Sequence, residues 1–130
     1  MRQAGVLAAA GLYALEHMVD RLADDHDNAR ALADGLAEIR GLRLAQPGVQ
    51  TNIVIVDVAE AGVNPLEFVH ELEEVGVLGS HFGGNLVRFV THYGIERPDV
   101  DEAVARVHRV VTSRLYGRSP HPKTRDSQRM

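Results

Sequence analysis

The 130-residue sequence contains no cysteine and only one lysine, Lys123. Without cysteine, disulfides, thiolate nucleophiles and sulfur-ligated metal sites are excluded, so packing alone must stabilise the fold. The single lysine lies in a polar segment near the C-terminus, which limits any chemistry that needs a positioned amine. No apolar run is long enough to span a bilayer, so we expect no membrane partner.

The sequence also shows no cluster of charges of one sign. The formal net charge is -4, and the arginines are scattered among aspartates and glutamates. This distribution gives no basic stripe, so nucleic acid is not expected as a partner. The first residues, Met1-Arg2-Gln3, lack the basic region and cleavage site of a signal peptide, which favours a cytoplasmic location.

The first forty residues show the apolar spacing of helices. Steps of three and four residues, with one longer step of seven, connect Leu12, Leu15, Val19, Leu22, Ala29, Leu32, Leu36 and Ile39. We predict two helices, the second with Asp20 as its N-cap and with Asp24 and Asp25 in its first turn. Gly41 suits the position just past the end of that helix.

The segment Ala4–Gly11 has no polar face at all. A helix that is apolar all round is normally buried all round, and small residues allow another backbone to approach closely. A chain this short has few elements to surround its own first helix. We therefore expect this segment to need a partner surface, either another domain or another subunit.

The middle of the chain reads as strand, strand and helix. Leu42–Ala45 predicts a short strand, and Gln50–Val58 predicts a central strand because Ile53–Val56 is β-branched and apolar on both faces. Asn64 and Pro65 then begin a helix that runs to Glu74. Its apolar side is expected to consist of Leu66, Val69 and Leu72, and Gly76 closes it.

A hairpin and a last helix follow. Val77–Phe82 and Leu86–Tyr93 are apolar segments separated by Gly83-Gly84-Asn85, which predicts a β-hairpin. Pro98 is expected in the first turn of a helix whose apolar stripe is Val100, Ala103, Val104, Val107, Val110 and Val111. Residues 117–130 are polar and predict a flexible tail. The predicted fold is α+β, with helices packed on a small, mostly antiparallel sheet.

Arg88 is the candidate functional residue because it sits within the apolar strand Leu86–His92 and alternates with Leu86 and Val90. A guanidinium stays charged, so in a dry strand it must face an anion. Its planar fork suits a carboxylate or phosphate. Two alternatives remain open: a structural ion pair with a native Asp or Glu, or a position on the solvent side of an edge strand.

Other reactive residue types do not form a recognisable site. The seven histidines show no metal-ligand spacing, and only His92, four residues after Arg88, is kept as a residue near a site. Ser80 and Ser113 lack a base and an acid at a recognisable spacing. We therefore predict no metal site and no serine hydrolase chemistry.

Four segments resemble low-specificity L-threonine aldolases in order and spacing: Met1–Leu15, Asp24–Ala29, Gln50–Val54 and Val87–His92. The resemblance extends to about Val111. It implies a pyridoxal-phosphate enzyme of the beta-eliminating lyase family with an aspartate-aminotransferase-like fold. Such enzymes split threonine or allo-threonine to glycine and acetaldehyde.

The resemblance also implies a role for particular parts of the chain. Residues 1–116 correspond to the small C-terminal domain, with residues 3–18 as the preceding inter-domain helix. Arg88 matches the arginine that binds the α-carboxylate of the small amino-acid substrate. Arg2 matches an arginine close to the cofactor region and the subunit interface.

In the family, the Schiff-base lysine, the stacking aromatic residue, the acid that pairs with the pyridine nitrogen and most phosphate ligands lie in a larger upstream domain. The resemblance therefore implies no catalytic residue in this chain, no covalently bound pyridoxal phosphate and no activity of the chain alone. The expected partner is a second copy or the PLP-binding domain. The alternatives are a non-catalytic, self-associating module and an amino-acid-binding domain that uses Arg88 as its anion anchor.

Overall fold

Residues 2–117 are described in the computed structural model, and the predicted tail from residue 118 onward lies outside them. The elements in chain order are α1 (Ala4–His17), α2 (Leu22–Ala37), β1 (Arg43–Leu44), β2 (Ile53–Asp57), α3 (Pro65–Glu74), β3 (Ser80–His81), β4 (Leu86–Val90) and α4 (Arg97–Tyr116). A short 3-10 helix at Ala59–Ala61 connects β2 with α3. The predicted order of helices and strands is confirmed.

The four strands form one antiparallel sheet in the order β1-β2-β4-β3. The prediction that β2 is central is confirmed, as is the hairpin of β3 and β4. Gly83 and Gly84 both have positive φ, 93° and 53°, which is why glycine suits this turn. The fold class is α+β, as predicted.

One face of this sheet is packed and the other is open. Val54, Val56, Val87 and Phe89 are buried on the face that α2 and α3 cover, and α4 packs on these two helices. On the opposite face, Ile53 is 43% exposed. The strand composition is apolar on both faces, as the sequence shows, yet the helices within residues 2–117 bury only one of them.

Helix α3 begins and ends at the predicted residues. The Asn64 side chain accepts hydrogen bonds from the backbone N–H of Leu66 (2.9 Å) and Glu67. At the other end, Gly76 has φ 79° and the Val77 N–H reaches back to the Leu72 carbonyl, which is a Schellman closure.

The predicted buried side of α3 is partly wrong. Leu66 is 62% exposed, whereas Phe68 and Leu72 are buried. Leu66 is two positions from Phe68, which places it on the opposite side of the helix from the buried Phe68 and Leu72. The predicted stripe of α4 is confirmed, with Val107 and Val111 fully buried.

The predicted cap of α2 is also wrong. Arg21, not Asp20, occupies the N-cap position, while Asp24 and Asp25 lie in the first turn as expected. Tight turns precede the helix, and the backbone carbonyl of Asp20, rather than its side chain, accepts from the Ala23 N–H. The helix ends at Ala37, so Gly41 lies beyond its cap.

Helix α1 has no buried residue. Val6 is 74% exposed and Leu15 69% exposed, and Leu7, Leu12 and Tyr13 are similarly open. No other element of residues 2–117 covers this helix, and the expected partner surface stays a prediction. Between residues 2 and 117, no helix has the length and apolar character needed to cross a membrane.

Candidate carboxylate-binding site

Arg88 lies in the middle of β4, directly opposite Ile55 of β2 and Ser80 of β3. Its neighbours Val87 and Phe89 point into the core, so by the alternation of a strand Arg88 faces the open side of the sheet. Leu86 is half-buried, but the expectation of a dry surface around Arg88 is wrong at Val90. Val90 is 43% exposed, because no helix of residues 2–117 covers this face.

The Arg88 guanidinium is held by two side chains of the hairpin. Its Nε–H donates a hydrogen bond to Ser80 Oγ at 3.2 Å, and its Cζ lies 5.5 Å from the centre of the Phe82 ring. The second distance is within the range of a cation–π interaction. The hairpin therefore fixes the position of this cation on the open face.

No carboxylate within residues 2–117 neutralises Arg88. Every ion pair found there, at N–O distances up to 4.0 Å, involves a different cation. The alternative of a structural ion pair is thus not supported. Seven arginines between Arg21 and Arg114 do have carboxylate partners, so Arg88 differs from most arginines of the fold.

Close packing of β3 against β4 brings Ser80 to Arg88. Gly79, which precedes Ser80, lies so near the core that an added Cβ would be 3.1 Å from Phe89 and 3.3 Å from Val87. At the other end of β3, the Phe82 N–H donates to the Leu86 carbonyl at 2.9 Å. A glycine at 79 and a tight turn therefore build the site locally.

The other two candidate residues, His92 and Arg2, form no hydrogen bond or ion pair with Arg88 within residues 2–117. His92 lies beyond the end of β4, and its Nδ1 is 2.8 Å from the Tyr93 carbonyl. Arg2 is exposed just ahead of α1, and among residues 2–117 no hydrogen bond or ion pair links it to Arg88. The role of Arg2 stays a prediction.

A second polar cluster ties α2 to the end of β4. Asp25 is 4% exposed and receives a hydrogen bond from Arg21 Nη2 at 2.6 Å, while the Arg21 guanidinium lies 4.9 Å from the Tyr93 ring centre. The Thr91 hydroxyl donates to the Asp25 carbonyl oxygen. This cluster holds the strand that carries Arg88.

A cleft of about 400 Å³ lies on the other side of β4, next to α4. Arg106 lines it, but its Nη1 donates to the Val75 carbonyl at 2.8 Å and its Nε to Glu102 at 2.7 Å. This cation is already satisfied by the protein. The cleft does not include Arg88, and it offers less to an anion than the open sheet face.

Sequence reasoning missed Ser80 and Phe82 as parts of the site. Ser80 was considered only as a nucleophile, and it has no general base among its hydrogen-bond partners within residues 2–117. A usable signal was present, since the hairpin centred on Gly83-Gly84-Asn85 implies the register that places Ser80 opposite Arg88. In the same residues, no cluster of three or more acidic or histidine side chains could hold a metal ion.

The described residues do not fit a cofactor that requires an imine. Residues 2–117 contain no lysine, and Lys123 lies outside the part of the chain that the structure describes. Schiff-base chemistry needs a positioned amine. No step through such a group is assigned to these residues.

Comparison with known proteins relates the chain to one family of enzymes. A family model described as beta-eliminating lyase matches residues 1–60. The probable low-specificity L-threonine aldolase 2 of Arabidopsis thaliana is 40% identical over 114 residues, which are 87% of this chain and 32% of that protein. The low-specificity L-threonine aldolase of Escherichia coli strain K12 is 38% identical over 105 residues, covering 81% of this chain and 29% of the relative.

Solved structures with the fold of this chain were also found. A C-DES mutant with glycine covalently linked to its PLP cofactor matches with a TM-score of 0.68 and 19% identity, over 81% of this chain and 28% of that chain. The 8-amino-7-oxononanoate synthase of Francisella tularensis matches with a TM-score of 0.63 and 19% identity, over 81% of this chain and 31% of that chain. The chain spans about a third of the length of the curated relatives it matches. Residues 1–60 therefore match the beta-eliminating lyase model, the chain is similar to low-specificity L-threonine aldolases over about a third of their length, and its fold is that of part of the solved structures it matches.

Proposed function

We propose that this chain supplies the carboxylate-binding part of a threonine aldolase-type lyase and that Arg88 binds the α-carboxylate of the amino-acid substrate. One observation carries the proposal: Arg88 lies on an open sheet face, is held by Ser80, and has no carboxylate partner within residues 2–117. A charged fork in this state suits an external carboxylate. The relationship to threonine aldolases supports threonine as the substrate.

In this proposal, the contribution of Arg88 is binding and orientation. Two parallel N–H···O bonds to a carboxylate fix both the position and the plane of the amino acid. Correct placement of a substrate can lower a reaction barrier by several kcal/mol.

The cofactor, PLP, and the amine that binds it would be provided by polypeptide outside residues 2–117. Helix α1 is the proposed docking element for that polypeptide, because all of its apolar side chains are exposed. Burial of this surface would be favourable at about 25 cal/mol per Å² of apolar area. Arg2, at the start of the same helix, would then lie at the junction.

A chimera tests the proposed function. Residues 2–116 replace the matching segment of the E. coli low-specificity L-threonine aldolase, and acetaldehyde release from threonine is measured. We expect activity in the chimera and a loss of about 10- to 100-fold in kcat/KM when Arg88 is replaced by Gln. Arg109→Gln is the matched control, because Arg109 is exposed on α4. Equal activity of the Arg88 and Arg109 variants would refute the proposal.

A second candidate function is a self-associating module without catalysis. The observation that favours it is again α1, whose 14 residues include no buried side chain. In an antiparallel pair of α1 helices, Arg2 of one copy would approach Glu16 of the other. Sedimentation of the full chain distinguishes the two candidates, since only this one requires a stable dimer of the chain alone.

A further inference from the structure

We propose that Ser80 and Phe82 are positioning residues that restrict Arg88 to one mode of carboxylate binding, in which both contacts come from its terminal Nη atoms. The inference rests on the proposed function, because it assumes that Arg88 binds a carboxylate. The contacts from which it is argued, however, are those of the protein without substrate. It assigns a role to two residues of the β3 hairpin that do not themselves contact substrate.

An arginine can form a bidentate pair with a carboxylate in two ways. The side-on mode uses the Nε–H and one Nη–H, and the end-on mode uses one N–H from each Nη. In this structure Ser80 Oγ already accepts the Nε–H, at a distance of 3.2 Å. A carboxylate can then use only the terminal edge.

Phe82 constrains the same guanidinium from a second direction. It is the diagonal neighbour of Arg88 across the hairpin, and its ring centre lies 5.5 Å from Arg88 Cζ. The Phe82 side chain is 50% exposed. Phe82 is not part of the hydrophobic core, and its ring lies within cation–π distance of the Arg88 guanidinium.

The backbone around the two residues is built to hold them in place. Gly83 and Gly84 close the turn with positive φ, and the Leu86 N–H donates to the Gly83 carbonyl at 3.0 Å. The edge strand is therefore fixed on β4 at both ends of the Ser80–Phe82 segment. An arginine side chain that is already ordered loses less rotamer freedom when it binds its ligand.

The test uses the full chain in solution and needs no substrate. In ¹⁵N-labelled protein, the Arg88 Nε–Hε resonance is assigned by its disappearance in Arg88→Lys, and its hydrogen exchange rate is measured. We expect Ser80→Ala to increase this rate by roughly two- to tenfold, as for the loss of one hydrogen bond. Ser80→Thr keeps the hydroxyl and is expected to retain the slow rate.

Phe82 is tested by the same spectra. Phe82→Leu is expected to abolish the ring-current shift of the Arg88 Hε and Hδ resonances and to raise the Hε exchange rate about twofold. Ser113→Ala is the matched control, because its hydroxyl bonds only to the Val110 carbonyl of its own helix. Backbone amide exchange at Val87 and Phe89 reports whether the sheet itself has loosened.

An Arg88 Hε rate that is unchanged in Ser80→Ala, with the sheet intact, overturns the proposal. A rate that rises only together with the Val87 and Phe89 amides also overturns it, since Ser80 would then be merely structural. A selective rise that Ser80→Thr reverses supports it. Because no substrate is present, this result is independent of whether Arg88 later proves to bind threonine.

Discussion

The Thr91 hydroxyl donates a hydrogen bond of 2.7 Å to the backbone carbonyl of Asp25, a residue 66 positions earlier in the chain. Thr91 is 2% exposed, so Thr91→Val leaves a buried carbonyl without this donor. We expect a loss of about 1–3 kcal/mol in the free energy of unfolding, measured by urea denaturation. Thr51→Val, at an exposed position, is the control and should change little; equal effects would argue against the interaction.

The two faces of the sheet should respond differently to truncation. Phe89→Ala removes a side chain that is 4% exposed, and we expect a cost of about 3–5 kcal/mol. Ile53→Ala, on the open face, should cost less than about 1.5 kcal/mol because Ile53 is 43% exposed. Chemical denaturation of both variants measures the difference. Similar costs would mean that the open face is covered in solution.

Gly79 is closely packed, and the buried side chains of Phe89 and Val87 leave little room for a side chain at this position. In Gly79→Ala the new methyl group would press against Phe89 and Val87, and we expect a loss of about 1–3 kcal/mol in stability. Gly5→Ala is a matched control, since nothing lies within 4 Å of its Cβ position and alanine favours the helix. Thermal unfolding of the two variants should therefore shift in opposite directions or leave Gly5→Ala unchanged.

We expect Glu102 to make a small contribution to stability that is lost at acidic pH. Its pKa is lowered from 4.5, first by a hydrogen bond from Arg106 and then by the charges of Arg106 and Arg109. Because the pKa of Glu102 is lower in the folded than in the unfolded chain, its ionised carboxylate stabilises the fold at a pH above the pKa of the unfolded state. This stabilisation is lost as the pH falls through the pKa of the folded state. We expect the Tm difference between the native chain and Glu102→Gln to shrink below pH 4.5. A difference that grows towards acid would contradict the assignment.

The exposed apolar face of α1 predicts association through this helix. Leu12 is 60% exposed, so Leu12→Glu should weaken any self-association of the chain without reducing its stability. Leu66→Glu places the same charge at a similarly exposed leucine of α3 and serves as the control. Sedimentation velocity of the two variants against the native chain gives the result. Equal effects would show that α1 is not the contact surface.

Local sequence signals predicted most elements. They located the ends of a helix where neighbouring residues form the cap. Asn64 and Pro65 predicted the start of α3, and Gly76 predicted its end, because cap and closure involve residues next to one another. The same reasoning failed at Asp20, where the backbone turn satisfies the first N–H groups without a side chain. Caps can be identified from sequence only when the side chain is needed.

The surroundings of Arg88 could be predicted only in part. The strand and its outward alternation follow from sequence, but an apolar strand such as Ile53–Val56 does not show which of its faces the helices cover. That depends on the long-range packing of α2 against β2 and of α3 against β4. Likewise, the contact with Ser80 depends on hairpin register rather than on any property of Ser80 alone.

The central claim is that Arg88 recognises a carboxylate, and a comparison of two substrates tests it most directly. In the chimera with the E. coli aldolase, kcat/KM is measured for threonine and for threonine amide, which lacks the anion, with and without Arg88→Gln. The account predicts a fall of about 10- to 100-fold for threonine and a change within about twofold for the amide. Equal losses for the two substrates would contradict it.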